Sequence, residues 1–108
     1  MKLHISERIM LLEFLPKEGD YAALRELRKA REALAFTPEE KQMIGFIQEG
    51  GMARWDAEKG STLIVDIPLS EWTTTTIQEE LRKRNKEKKL TERELTLYEK
   101  FIVAYDQV

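Results

Sequence analysis

The spacing of apolar residues along the chain predicts helices over most of its length. Apolar residues recur every three or four positions from Ile5 to Leu15, from Asp20 to about Ala35, and again near the end of the chain, which is the period of one helix face. Asp20 is the expected N-cap of the second of these helices. Pro16 closes the first segment because proline cannot continue a helix beyond its first turn. The sequence therefore predicts a mostly α-helical protein.

The first predicted helix is apolar on two faces. At 100° per residue, Met10 and Phe14 fall nearly opposite to the other apolar side chains of this helix. Such a helix is either enclosed by the rest of the fold or shared with a second subunit. Both alternatives remain open from the sequence, so Met10 and Phe14 are candidate partner-binding residues. The side expected to face the core consists of Ile5, Ile9, Leu11, Leu12 and Leu15.

A third helix is marked by the strongest capping signal in the chain. Thr37 precedes Pro38 and stands three residues before Glu40, which is the pattern of a reciprocal capping box with proline at the first helical position. We expect this helix to end at Gly50-Gly51, because glycine accepts the left-handed backbone that closes many helices.

Two further helices follow in the second half of the chain. Ser70 is the expected cap of a helix whose first turns contain the β-branched run Thr73 to Thr76, a run of poor helix formers. Thr91 and Glu94 predict a second capping box, and the last helix is expected from about Glu92 to Tyr105. Its wide apolar face makes it a main wall of the core, so the first and last helices are expected to form the centre.

Between the third and fourth helices the pattern favours a β-hairpin. Met52 to Trp55 and Thr62 to Ile67 flank the polar stretch Asp56 to Gly60, which we interpret as the hairpin loop. Alternation along the second strand places Leu63, Val65 and Ile67 inward. The predicted fold class is thus α+β: a mostly α-helical single domain, residues 1–108, with about five helices and one β-hairpin between the third and fourth.

Composition narrows the class of protein. The 108 residues fit one core, and 18 basic against 20 acidic side chains give a net charge of −2, which provides no global attraction to nucleic acid or anionic lipid. The absence of cysteine is typical of a reducing compartment. Apolar runs such as Ile9 to Leu12 are far shorter than a membrane span. We therefore expect a cytoplasmic protein without a membrane partner.

The chain offers little for catalysis. The single histidine, His4, lies on an N-terminus expected to fray, and no cysteine is present, so neither a nucleophile activated by histidine nor a usual zinc site is predicted. The acid pairs Glu39-Glu40 and Glu79-Glu80 are typical of a charged first turn and a solvated helix face. We expect no enzyme activity, no metal, no cofactor and no small-molecule substrate.

One basic segment is a candidate nucleic-acid surface, because clustered lysine and arginine displace counterions from phosphates. The alternative is structural: cations near a helix C-terminus stabilise its dipole, and Glu79 and Glu80 are placed to pair with them. The candidate residues are Arg82, Lys83, Arg84, Lys86, Lys88 and Lys89.

Trp55 and Trp72 are the other candidate binding residues. Both lie in or beside the predicted hairpin, and large aromatic side chains are frequent anchors of protein interfaces. They are equally frequent in a core. Together with Met10 and Phe14, they form the candidate partner-binding set.

Five strings spread over most of the chain combine helix caps with core positions: Leu15–Asp20, Leu24–Arg31, Phe36–Glu40, Lys89–Thr91 and Leu97–Phe101. In these strings the sequence resembles a group of small uncharacterised proteins encoded by bacteriophages and prophages. The resemblance implies a phage origin and the cytoplasm of a bacterial host. With the residue patterns, it leads us to expect a non-enzymatic protein that contacts another protein, or a second copy as a homodimer; the alternative is a nucleic-acid-binding regulator that uses the basic segment.

Overall fold

The computed structural model describes residues 1–104 and confirms the α+β class, since six α-helices and two small sheets occur in that part of the chain. The last helix, α6, is preceded by a 3₁₀ turn and continued by π-helical turns, and residues 92–103 together are called the C-terminal helix. In order, the elements are β1 (Lys2–His4), α1 (Ile5–Phe14), α2 (Tyr21–Leu34), α3 (Pro38–Ile44), β2 (Ile47–Glu49), β3 (Met52–Arg54), α4 (Ala57–Gly60), β4 (Ile64–Asp66), α5 (Glu71–Lys86) and α6 (Leu95–Tyr98).

Three predicted helix caps are confirmed. The side chains of Asp20, Thr37 and Ser70 each accept a hydrogen bond from the backbone N–H three residues further on. The carboxylate of Glu40 also accepts a bond from the N–H of Thr37 at 2.9 Å, which completes the capping box. These caps fix the starts of α2, α3 and α5.

The starts of α1 and of the C-terminal helix differ from the prediction. His4 does not fray: it ends β1 and caps α1, since its Nδ1 accepts from the N–H of Glu7 while the Glu7 carboxylate accepts from the N–H of His4. The second capping box is wrong, because Thr91 makes no capping bond. Glu94 instead accepts a hydrogen bond from Arg84 at 2.8 Å.

The hairpin lies between the third and fourth helices as predicted, and the predicted strand Met52 to Trp55 is present as β3, but its pairing partner is a different strand. β2 pairs with β3 across Gly50-Gly51, whose positive φ angles of 55° and 79° are those of a tight hairpin turn. The prediction that Gly50-Gly51 ends α3 is therefore wrong. Gly45, with φ of 63°, ends that helix earlier.

The segment expected to be the hairpin loop is the short helix α4. Asp56 caps it by accepting bonds from the N–H groups of Glu58 and Lys59, and this turn carries the chain away from β3. β4 pairs instead with β1 in an antiparallel ribbon. The predicted orientation of β4 is confirmed, since Ile67 is buried while Ile64 is 58% exposed.

Helix α5 contacts α1, α2 and the C-terminal helix, and α1 contacts α2, α5 and β1. The β-branched first turns of α5 are tolerated because Thr73 and Thr74 are buried as small side chains and the Thr73 hydroxyl accepts a bond from Ser70. No helix within residues 1–104 is both long and apolar enough to cross a membrane. The largest core side chains are Leu3, Leu11, Leu15, Leu27, Leu34, Ile77, Leu81, Leu97 and Phe101.

The C-terminal helix is fastened to the rest of the fold by hydrogen bonds of Gln78 and Lys100. The Gln78 amide donates to the carbonyl of Phe101 at 2.8 Å. Lys100 reaches the fully buried carboxylate of Glu7 at 2.5 Å and the carbonyl of Lys2 at 3.0 Å. Tyr105, which was assigned to the apolar face of this helix, lies outside the described residues.

Candidate protein-binding groove

An open groove of about 610 Å³ lies between α1, the segment joining α2 to α3, and the β2–β3 hairpin. Its walls carry few polar groups relative to their apolar and aromatic side chains. Because concave sites lined mainly by apolar and aromatic side chains are typical of binding sites, the groove is the candidate functional site. Its main apolar residues are Ile9, Leu12, Phe36, Phe46, Met52 and Trp55.

The floor of the groove comes from α1, and it explains why this helix is apolar on two faces. Met10 and Leu11 are buried in the core, whereas Ile9 and Leu12 remain half-buried and line the groove. Two of the residues expected to face the core are thus available to a partner. The candidate Met10, at 4% exposure, lies inside the core instead.

Phe14, the other candidate on α1, lies outside the groove. Its ring is covered by the guanidinium of Arg84, whose Cζ stands 4.2 Å from the ring centroid. This stacking is favourable because the cation faces the negative side of the ring. Phe14 is therefore half-buried by the protein's own side chains.

Two phenylalanine rings at the two ends of α3 form one wall. The centroids of Phe36 and Phe46 are 5.3 Å apart and the rings are tilted by 33°, a separation typical of a favourable aromatic pair. Neither was a sequence candidate. The sequence does contain a signal for this pair: one phenylalanine stands immediately before the capping box, and the other stands just after the end of the helix.

Arg8 positions this wall from inside the protein. It is 2% exposed, its Nε and Nη2 donate to the carbonyls of Leu34 and Ala35 at 3.1 and 2.6 Å, and it forms a bidentate pair with Glu40. Its guanidinium also covers the Phe36 ring at 4.1 Å. One buried cation therefore joins α1 to the end of α2, the start of α3 and the groove wall.

The pairing with Arg8 lowers the pKa of Glu40. The hydrogen bonds from Arg8 are the main cause, they outweigh the opposing effect of burial, and bonds from Thr37 add to them. Hydrogen bonds of this kind stabilise the charged carboxylate. Glu40 is therefore ionised at neutral pH and serves in a structural ion pair.

The hairpin forms the opposite wall. Gln48 and Ala53 face each other across the ladder and both line the groove, and Met52, which is 70% exposed, stands at its tip. This small sheet presents its other side, including Ile47, to solvent. The wall is thus built from a two-stranded ribbon that has no third strand within residues 1–104.

Trp55 directly follows β3, beside the hairpin as predicted. It lines both the groove and a second depression of about 450 Å³ near α4. Its indole packs against Gly60, where an added Cβ would stand 2.8 Å from Cδ1 of Trp55. The indole N–H is neither enclosed nor hydrogen-bonded within residues 1–104. A tryptophan with an apolar body and an unused donor is suited to anchoring a bound chain.

The charges of the groove are mainly positive. Lys41 and Arg93 line it together with one acid, Glu13, in a chain whose net charge is −2. Lys41 lies 5.8 Å from the Phe46 ring centroid, and neither cation has an ion pair within residues 1–104. Acidic side chains of a partner would therefore find two available cations.

Trp72 is not brought together with Trp55. It is 39% exposed and lines a separate depression of about 350 Å³ at the starts of α2 and α5, which shares no residue with the groove. From the sequence, both tryptophans are predicted to lie in or beside the hairpin. The change of strand partners separates them.

The most buried member of the basic segment is used internally. Arg84 donates to Glu80 at 3.1 Å and to Glu94 at 2.8 Å while it covers Phe14. Arg82 also has an interaction partner. Both arginines of the segment are thus engaged with the protein itself.

The four lysines of the basic segment are exposed at and beyond the end of α5. Lys88 adopts a left-handed conformation with φ of 58° and ends the helix. Lys89 lies 3.7 Å from Glu87. Lys83 and Lys86 occupy the last turns of α5, where cations stabilise the helix dipole.

Within residues 1–104, histidine and acidic side chains form no group of three or more that could hold a metal ion. Glu39 and Glu40 do not act as a pair, since Glu40 is bound to Arg8. No family model matches the sequence, and neither the curated proteins nor the solved structures include a similar protein. The resemblance to phage-encoded proteins stays a prediction, and inference about function rests on the groove.

Proposed function

We propose that the protein is a non-enzymatic binding protein of phage type, which acts in the bacterial cytoplasm by taking an apolar segment of a protein into the groove. The observation that carries the proposal is the placement of Ile9, Leu12, Met52 and Trp55 around one open depression. These are residue types that a folded protein normally buries, and here they line a single surface.

The shape of the groove favours a protein segment. An amphipathic helix binds in this way by inserting side chains from successive turns into an apolar channel. Each inserted apolar side chain contributes about 1.5–3 kcal/mol, while association costs at least about 4 kcal/mol. Two or three anchors are therefore required, and a groove with a helical floor, an aromatic wall and a ribbon wall offers separate places for them.

The unused indole donor of Trp55 adds a polar component. A helix or extended segment that lies against Trp55 can offer a carbonyl or side-chain acceptor to this N–H. Such a contact adds orientation to an otherwise apolar interface. Trp55 is thus the residue from the sequence-derived candidate set that supports the proposal.

The experiment is a selection of peptides from a random displayed library against the purified protein, followed by calorimetric titration of the selected peptides. Met52→Glu and Trp55→Ala are the groove variants. Met43→Glu is the matched control, because Met43 is also an exposed methionine, at 63%, and does not line the groove.

We expect the groove variants to weaken binding at least about tenfold, a loss of about 1.4 kcal/mol, and Met43→Glu to leave the dissociation constant unchanged. Failure to select any peptide contradicts the proposal. So does a set of peptides that binds all four proteins equally, since their site would lie elsewhere.

A further inference from the structure

The C-terminal helix has an exposed face that mixes apolar and acidic residues. Leu95 and Val103 are 50% and 45% exposed, and they are eight residues apart, so two helical turns place them on one side. Glu92, Thr96 and Glu99 are exposed between or beside them. This face is called the Leu95–Val103 face.

The Leu95–Val103 face is exposed on a helix whose other side is packed into the core. On the opposite side of the same helix Leu97, Phe101 and Ile102 are buried, and Lys100 fastens the helix to Glu7. Two large apolar side chains are thus presented to solvent on a fixed support. A fixed apolar pair binds at a lower entropic cost than a flexible one.

The groove and the Leu95–Val103 face are complementary in charge. Lys41 and Arg93 of the groove have no ion pair within residues 1–104, and the same is true of Glu92 and Glu99 on the helix. Complementary charges of this kind set the orientation of a contact and exclude partners of like charge.

The groove and the Leu95–Val103 face lie next to each other, because Arg93 belongs both to the groove lining and to the C-terminal helix. It lines the groove and stands two residues before Leu95 at the start of the C-terminal helix. In a two-fold dimer, each copy can then offer its helix to the groove of the other through one continuous interface. Two reciprocal contacts double the area of one, which helps to reach the roughly 800 Å² per partner of a stable complex.

We propose that the occupant of the groove is the Leu95–Val103 face of a second copy, in a reciprocal homodimer. This inference rests on the proposed function of the groove, and it names the partner. Leu95 and Val103 insert beside Ile9, Leu12 and Met52, and the acids of the helix meet the cations of the groove.

The test is sedimentation equilibrium of the purified protein from about 1 μM to about 1 mM, the range of weak to moderate association. We expect a monomer–dimer equilibrium that Leu95→Asp and Met52→Glu each weaken at least about tenfold. Leu24→Asp is the matched control for Leu95→Asp, because Leu24 is an exposed helical leucine, at 42%, and lines neither depression beside the hairpin.

A charge exchange provides a second readout in case an apolar variant loses its fold. Lys41→Glu should weaken the dimer, Glu99→Lys should do the same, and the double variant should recover most of the association. Recovery requires that the two residues meet across the interface, and failure of the double variant to associate better than either single variant overturns the proposal.

A wild-type protein that stays monomeric over the whole range also overturns the proposal, as does a dimer that is insensitive to both Leu95→Asp and Met52→Glu. Neither result by itself removes the proposed function, since peptides that bind the monomer in a manner dependent on Met52 would still support it. If the dimer forms as proposed, the same peptides should displace the second copy.

Discussion

Arg8 is the residue on which the shape of the groove depends most. A buried arginine is normally kept only where its charge and its donors are all matched, and here a carboxylate, two carbonyls and an aromatic ring match it. Two of these partners, the Ala35 carbonyl and the Phe36 ring, belong to the segment that joins α2 to α3. The position of Phe36 in the groove wall is therefore set from the side of the core.

We predict that Arg8→Met lowers the free energy of unfolding by about 3–5 kcal/mol, because it leaves the Glu40 charge and two carbonyls without their donor. Urea denaturation measures the change. Arg31→Met is the control, since Arg31 makes one surface hydrogen bond to the carbonyl of Pro16 and should cost about 1 kcal/mol. Equal losses for the two variants would show that Arg8 does not organise this region.

A second prediction concerns acid stability. The pKa of Glu40 is lowered below its ordinary value of 4.5, chiefly by hydrogen bonds from Arg8, so the unfolded chain binds this proton at a higher pH than the native protein does. The stabilisation is complete above the unfolded pKa and is lost as the pH falls through the native one.

Glu40→Gln should therefore lower stability at neutral pH and flatten its decline below about pH 5. The measurement is urea denaturation at a series of pH values. Asp66→Asn is the comparison, because the N-terminal ammonium group lowers the pKa of Asp66 in the same direction at an exposed site. A pH profile of Glu40→Gln parallel to that of the wild type would contradict the assignment.

At the scale of elements, features that depend on nearby residues were predictable from the sequence, and features that depend on distant residues were not. The caps at Asp20, Thr37 and Ser70 were predictable, because a cap needs only residues three positions apart. The pairing of β4 with β1 was not, since it joins segments about 60 residues apart, as Leu3 opposite Val65 does. A local signal for α4 was available in the sequence. Aspartate is a favoured N-cap residue, and Asp56 stands at the start of the segment expected to be a loop.

The same distinction applies to the groove. Trp55 was found from its residue type, but Ile9 and Leu12 were assigned to the core because a two-faced helix does not show which side is left open. Arg8 was missed because its partners are 26 to 32 residues away. Such contacts depend on how the helices pack against each other, and the apolar pattern of a single helix does not predict that packing.

The hairpin turn gives the prediction at this scale. Gly51 has φ of 79°, a region that a β-branched residue enters at a cost of about 1–2 kcal/mol, so Gly51→Val should destabilise the hairpin and lower the affinity of the groove for selected peptides. Gly50→Asn is the control, because asparagine tolerates a positive φ at the first position of such a turn. Thermal unfolding and calorimetry measure both effects, and equal behaviour of the two variants would contradict the turn.

At the scale of the whole molecule, the two ends of the described chain support the binding surfaces. The amino-terminal group of Met1 binds Asp66 and the carbonyl of Ile67, which holds β1 against β4. Lys100 binds Glu7 at the start of α1. The helix that forms the groove floor and the C-terminal helix are thus joined through one ion pair.

The central claim is that the groove is the surface into which a protein partner inserts its apolar side chains. The chain contains two tryptophans, one in the groove and one at the start of α5, so its ¹H–¹⁵N spectrum carries two indole signals that report on different surfaces. Single replacements of Trp55 and Trp72 by phenylalanine assign them.

The decisive measurement follows both indole signals while a selected peptide is added, or while the protein concentration is raised. We predict that the Trp55 signal shifts in a saturable way and that the Trp72 signal stays in place. A shift of Trp72 alone, or binding that moves neither signal, would contradict the account.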